Sequence, residues 1–209
     1  PFKNPTPLPT WINSNLTRHD HQSIHRTSPT FGTSGTFMGN KQPIEALIAQ
    51  LVDSLYHITE SEREQTANKF ISRLSYRHDT NLLHAIKEWA LKILGTKTLS
   101  FLFQDNTRGC VPISGPIRYR ERTLLFHETI ERLVDSDDSL LLVNFLVGNN
   151  SHTSRPGPPL PAAFLRKIAV RASLAKLVFP QKDVTSEILW VDEQKLQHLS
   201  SDLLKKCLS

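Results

Sequence analysis

Residues 43–55 read Pro-Ile-Glu-Ala-Leu-Ile-Ala-Gln-Leu-Val-Asp-Ser-Leu, and the large apolar side chains in this stretch recur every three or four positions. That spacing places them on one face of an amphipathic helix. The positions concerned are Ile44, Leu47, Ile48, Leu51, Val52 and Leu55. Pro43 suits the first helical position, where its missing N–H removes no hydrogen bond. The stretch therefore predicts an α-helix that buries one face.

Two more amphipathic helices are predicted directly after this one. Thr59 and Glu62 have the spacing of a capping box, in which each side chain satisfies a free N–H at the start of a helix. Asp79 is a favourable residue for starting the third helix, and Gly95 suits the position just past its end. Apolar stripes follow both starts and include Phe70, Ile71, Leu74, Leu83, Ile86 and Trp89.

The second half of the chain gives weaker patterns. Residues 99–103 fit a short helix or a strand, and residues 106–116 are rich in Gly and Pro, which predicts a loop. Apolar spacing predicts helices over residues 119–135, 140–147 and 161–179, and a last helix capped by Asp192. A buried strand is the competing interpretation for residues 140–147, because that run is apolar on all sides.

These elements predict a mainly α fold. Residues 43–209 would form a helical domain, either an irregular multi-helix bundle or a short HEAT-like or armadillo-like array. Residues 1–42 hold five of the thirteen prolines and keep neither a helix nor a strand period, so they predict an extended N-terminal arm. No apolar run reaches the roughly 18 residues of a membrane span, and we expect an intracellular protein, nuclear or cytoplasmic.

The predicted arm carries spaced apolar side chains that suit a docking segment. Tryptophan is among the residues most often found as binding hot spots. The candidate partner-binding residues are Leu8, Trp11, Ile12, Phe31 and Phe37. We expect them to dock on a protein partner or on another copy of the chain. The sequence thus predicts a non-enzymatic interaction or scaffold subunit of a larger protein assembly.

The net charge offers an alternative. The chain has 25 Lys and Arg against 20 Asp and Glu, a formal charge of +5. Two basic clusters could contact nucleic acid if folding brought them together, because arginine beside an aromatic residue suits phosphate and base contacts. They comprise Arg118, Tyr119, Arg120 and Arg122, and then Arg166, Lys167 and Arg171. The alternative is a nucleoprotein-like protein whose arm links subunits.

Catalytic and cofactor motifs are weak. Two cysteines exclude a disulfide framework and a cysteine-built zinc site, and the sequence has no phosphate-binding loop and no nucleophile elbow. His19, His21 and His25 have a ligand-like spacing, but the segment has no thiol and only one carboxylate nearby. We expect no metal, no cofactor and no small-molecule substrate. A second alternative is an enzyme centred on Cys110, which lies near Arg108 on the predicted loop.

Overall fold

A five-stranded β-sheet lies between two layers of helices. The computed structural model describes residues 43–75, 78–119, 121–148 and 160–208. Its helices are α1 (Ile44–Leu55), α2 (Glu60–Ser72), α3 (Thr80–Gly95), a 3-10 helix (Lys97–Phe103), α4 (Ala162–Val178) and α5 (Ser201–Lys206). Its strands are β1 (Thr107–Tyr119), β2 (Arg122–Asp135), β3 (Ser139–Leu146), β4 (Asp183–Trp190) and β5 (Lys195–Leu199).

The strands lie in the sheet in chain order, β1-β2-β3-β4-β5. Neighbouring strands are antiparallel except β3 and β4, which are parallel. A parallel pair needs a crossover connection, and α4 supplies it here. The prediction of a mainly α fold, as a bundle or a HEAT-like or armadillo-like array, is therefore wrong: this is a mixed α/β fold.

The two faces of the sheet carry separate cores. On one face, α1 and α3 bury residues such as Leu51 and Ile86 against Val143 and Phe145. On the other face, α4 and α5 bury Leu174 and Ile168, together with Leu140, Leu142 and Ile188. Successive residues of β3 thus point to opposite faces, as the pleat of a strand requires.

The helices predicted before residue 96 are confirmed. Asp79 is the N-cap of α3 and accepts hydrogen bonds from the N–H groups of Asn81 and Leu82. Pro43 precedes α1 as its N-cap rather than occupying the first helical position. The Thr59 hydroxyl does not cap α2 but donates to Glu62 Oε2 at 2.7 Å, so the capping box is only partly formed. The helix predicted over residues 161–179 is confirmed as α4.

Four predictions in the second half are corrected. The predicted loop at 106–116 belongs to β1, and the predicted helix at 119–135 is β2. The competing strand interpretation of residues 140–147 is correct, since this run forms β3. The last helix does not start at Asp192: β5 comes first, and Ser200 caps the short α5.

The helix-like spacing in β2 has a structural cause. Phe126, Ile130 and Leu133 contact the α4-side core, although strict alternation would place Leu133 on the opposite face from the other two. The alternation of side chains between the two faces of the sheet is interrupted between Ile130 and Glu131, which both lie on the α4 side. In the facing strand, Cys110 has a φ of 49°, a left-handed conformation that is uncommon outside glycine. A strand that changes face in this way reproduces the spacing of a helix.

Gly109 lies beside this change of face and has little room for a side chain. A Cβ there would collide with the Asp53 carboxylate and would lie 2.8 Å from Arg132 Nη1. A larger residue there would have to displace the Asp53 carboxylate from Arg132, so the glycine leaves room for this ion pair.

Within the described ranges, no helix is long and apolar enough to cross a membrane.

Candidate functional site

Arg132 is a buried arginine on the α1 side of the sheet. Arg132 is 1% exposed, and its guanidinium donates hydrogen bonds to three oxygen atoms. Nε donates to the Leu102 carbonyl at 2.7 Å, Nη1 to Asp53 Oδ1 at 3.0 Å, and Nη2 to Thr107 Oγ1 at 3.0 Å. These bonds join β2 to α1, to the 3-10 helix and to the start of β1.

Two aromatic rings cover the same guanidinium. Its Cζ lies 4.4 Å from the centre of the Tyr56 ring and 5.0 Å from that of Phe103, within cation–π range. Burial lowers the pKa of Arg132, and the neighbouring Asp53 and Tyr56 act in the opposite direction. The donors and ring faces are thus engaged within the chain, which makes Arg132 a structural residue.

Arg171 is the second buried arginine and lies on the α4 side. The residue is 2% exposed, and it forms a two-pronged ion pair with Glu131: Nη2 donates to Oε1 at 2.8 Å and Nη1 to Oε2. Nη1 also donates to Asn144 Oδ1 at 2.8 Å, and Nε to Glu128 Oε2 at 3.3 Å. The cluster joins α4 to β2 and β3.

The cluster around Arg171 holds two carboxylates against one cation. Asn144 extends it to β4 by donating to the Glu187 carbonyl at 3.2 Å. These bonds hold α4 in place against β2 and β3. Within the part of the chain that the structure describes, no group of three or more His, Cys, Asp and Glu could hold a metal ion.

The residues of the two predicted basic clusters differ in their exposure to solvent. Arg118 and Arg122 are exposed at the turn end of the β1–β2 hairpin, where Arg118 pairs with Thr123 and Tyr119 with Arg122. Arg166 is exposed on α4, Lys167 is half-buried, and Arg171 is buried. The expected basic face of Lys167 and Arg171 therefore does not form, because Arg171 points to the sheet. Arg120 lies outside the described residues.

Cys110 is poorly suited to be a nucleophile. Burial, the largest cause, and the nearby carboxylates of Asp53 and Glu131 raise the pKa of its thiol to about 11, and Arg132 only partly opposes them. A reactive cysteine needs the opposite, a lowered pKa and a stabilised thiolate. Among the described residues, the charged groups that shift the pKa of this thiol are Asp53, Glu131 and Arg132 rather than a histidine. These observations weigh against the cysteine-enzyme alternative.

The hairpin of β1 and β2 has one open face, which the sequence did not reveal. Alternate residues such as Ile113, Ile117 and Phe126 contact the α4-side core, and the others point to solvent. Leu125 is 67% exposed on this open side. We call this surface the outer hairpin face, and its exposed residues are Pro112, Pro116, Arg118, Thr123, Leu125, His127 and Thr129. The sequence contains no clear signal for this face, because Leu124, Leu125 and Phe126 are consecutive apolar residues and break the alternation that marks a half-exposed strand.

The predicted arm residues Leu8, Trp11, Ile12, Phe31 and Phe37 lie outside the described residues, as do His19, His21 and His25. Their roles remain predictions.

Comparisons with known proteins give no family. No family model matches the chain, and no curated protein matches it. Among solved structures, SSO0001 matches with a TM-score of 0.35 and 9% sequence identity, over 83% of this chain and 75% of that one. A likeness this weak carries no argument about function.

Replacing Arg171 with Leu should lower the free energy of unfolding by about 3–5 kcal/mol, because it leaves the Glu131 carboxylate buried without its partner. Urea titration followed by tryptophan fluorescence measures the loss. The double variant Arg171→Leu/Glu131→Leu should recover about 2 kcal/mol of that loss. Additive losses in the two single variants and the double variant would contradict the account of a coupled pair.

In a Cys207→Ser background, Cys110 should react with iodoacetamide roughly twentyfold more slowly at about pH 8 than an unhindered cysteine. Its much smaller thiolate fraction slows the reaction, and the higher nucleophilicity of a thiolate with a raised pKa offsets only part of that loss. Its rate should keep rising until the pH approaches about 11. Mass spectrometry of the alkylated protein follows the reaction. A rate that levels off near neutral pH would show an activated thiol.

Proposed function

We propose that this chain is a non-enzymatic protein-interaction subunit and that the outer hairpin face is a contact surface. The observation that carries the proposal is the exposure of Leu125 on a regular sheet face. The residues around Leu125 lie at defined strand positions, opposite Pro116 and two residues from His127. Leu125 and the exposed Pro116 opposite it form a small apolar patch, and adjoining exposed apolar groups favour an interaction site more than an isolated leucine would.

The charge of this face indicates the chemistry of the partner. The face contains Arg118 and His127, and none of its residues is acidic. Glu128 lies on the same strand but points to the other side and binds Arg171. Electrostatic complementarity therefore favours a protein partner that presents an aliphatic side chain flanked by carboxylates.

The free edge of β1 is poorly suited to pairing with a strand of the partner, which favours docking through side chains. β1 is the outermost strand on its side of the sheet, and it carries Pro112 and Pro116. Proline has no N–H to donate, so it interrupts the edge onto which another strand could pair. We therefore expect the partner to cover the outer hairpin face rather than extend the sheet.

Two further points support a docking role. The buried charged groups, Arg132 and Arg171 with their carboxylates, have structural partners within the chain. In the proposal, the predicted arm supplies a second contact through Trp11 and its neighbouring apolar residues.

The proposal is tested by placing a photo-crosslinking amino acid at Thr123, on the outer hairpin face, in cells that make the protein. The expected product is a protein adduct whose linked peptide, identified by mass spectrometry, is acidic and aliphatic. Leu125→Glu should reduce the adduct at least fivefold, because it adds repulsion and removes the apolar contact. Leu203→Glu makes the same change at an exposed leucine of α5 and should leave the adduct unchanged. A crosslinker at Gln65 on α2 controls for random contact.

Three outcomes would overturn the proposal: no adduct at Thr123, equal adducts at Thr123 and Gln65, or adducts unaffected by Leu125→Glu. A fourth would favour the nucleic-acid alternative, for which the exposed pair Arg118 and Arg122 is the supporting observation. In that case Thr123 would crosslink to RNA or DNA, and Arg118→Gln/Arg122→Gln would abolish the adduct.

A further inference from the structure

The β1–β2 hairpin has a second free edge, on the side of β2 that faces away from β1. β3 pairs with β2 only over residues 132–135, whereas β1 pairs with β2 as far as Arg122 at the turn. Among the described residues, the stretch 122–130 of β2 therefore has a neighbouring strand on one side only. The hairpin is a two-stranded ribbon in this region, and the unpaired side of β2 can accept another strand.

The prolines of β1 show which backbone groups of β2 point to this free edge. In an antiparallel pair, residues that bond to the facing strand alternate with residues whose N–H and C=O point away from it. Proline has no N–H, so Pro112 and Pro116 fit the second kind, and their partners Thr129 and Leu125 are of the same kind. By this alternation, the β2 residues whose N–H and C=O point to the free edge are Thr123, Leu125, His127 and Thr129.

The two outermost strands of the sheet are protected in ways that β2 is not. Pro112 and Pro116 interrupt the edge of β1, and β5 is only 5 residues long and begins at the exposed Lys195. Short strands, proline and lysine are common means of preventing pairing at an edge. β2 contains neither proline nor lysine, and its free stretch is longer than β5. This edge is therefore the one best suited to pairing.

We propose that two copies of the chain pair through this edge, β2 against β2 and antiparallel, about a twofold axis at Leu125. Leu125 then lies opposite its counterpart in the second copy, and Thr123 lies opposite His127 of that copy. Each such pair exchanges two hydrogen bonds, so the three pairs centred on Leu125 supply about six. The side chain of Leu125, which is 67% exposed, gains an apolar neighbour. The inference does not rest on the proposed docking role, because the outer hairpin faces of both copies stay open.

The side chains on the α4 side of β2 favour this register. It places Leu124 beside Phe126 of the second copy, and the exposed Arg122 opposite Glu128 of that copy. Opposite charges that face each other across antiparallel strands are stabilising, and the twofold axis makes each contact occur twice. Glu128 accepts from Arg171 through Oε2 at 3.3 Å, and a carboxylate can accept further donors. The pairing is thus complementary in charge.

Pairs of cysteines test the register directly. In a Cys207→Ser background, Leu125→Cys should form a disulfide between two copies, because directly opposed residues have Cα atoms about 5.5 Å apart. Thr123→Cys should not link to itself, since its two copies would lie roughly 13 Å apart along the ribbon. It should link to His127→Cys when the two variants are mixed. Leu203→Cys, at an exposed leucine of α5, is the control for random collision, and mass spectrometry identifies the linked peptides.

Sedimentation velocity of the full chain should show a monomer–dimer equilibrium that shifts with protein concentration. Arg122→Glu should weaken the dimer about tenfold, because it places like charges opposite each other at both ends of the paired stretch. Arg108→Glu makes the same change at an exposed arginine near the start of β1 and should leave the equilibrium unchanged.

Amide hydrogen exchange of the unmodified chain provides a test that needs no variant. The N–H groups of Thr123, Leu125 and His127 should exchange at least tenfold more slowly in concentrated than in dilute solution, because pairing protects them. Four results would each overturn the proposal: a monomer at every concentration, a dimer without the Leu125→Cys disulfide, equal losses for Arg122→Glu and Arg108→Glu, or exchange at these three groups that does not depend on concentration.

Discussion

The burial of two arginines, one on each face of the sheet, is the constraint on which the structure depends. Each needs several oxygen acceptors once it leaves water, because an unpaired buried charge is very costly. Arg132 draws α1, the 3-10 helix and β1 to β2, and Arg171 draws α4 to β2 and β3. Both helical layers are thus fixed to the sheet by hydrogen bonds as well as by apolar contact.

Strand β2 is the element that both arginines share. Glu131 binds Arg171 on one side, and the next residue, Arg132, binds Asp53 on the other. Because the alternation of β2 is interrupted there, the consecutive residues Ile130 and Glu131 both lie on the α4 side, and Arg132 lies on the α1 side. Gly109 and Cys110 accommodate this change in β1, which explains the tight contact at Gly109 and the left-handed backbone of Cys110. The same hairpin then extends beyond the buried clusters and exposes its outer face.

The sequence predicted the helices well where the helical period was long and the capping residues were distinct, as in α3 with Asp79. It failed for β1 because Pro112 and Pro116 are typical of loops but are tolerated in an edge strand. It failed for β2 because the change of face made Phe126, Ile130 and Leu133 follow a helical spacing. The sequence predicts a surface position for Arg171 because its partners lie on strands, β2 and β3, whose patterns predict helices. The outer hairpin face depends on strand pairing and was therefore not predictable.

The most direct test of the two buried arginines is NMR observation of their side-chain Nε–H groups, assigned with Arg132→Lys and Arg171→Lys. Both protons should give resolved signals that exchange with water at least a hundredfold more slowly than those of Arg118 and Arg122, because buried hydrogen bonds protect them. This result would place each guanidinium inside the fold, bonded as described. Exchange of either proton as fast as that of the exposed arginines would contradict the account, because that guanidinium would then lie in water.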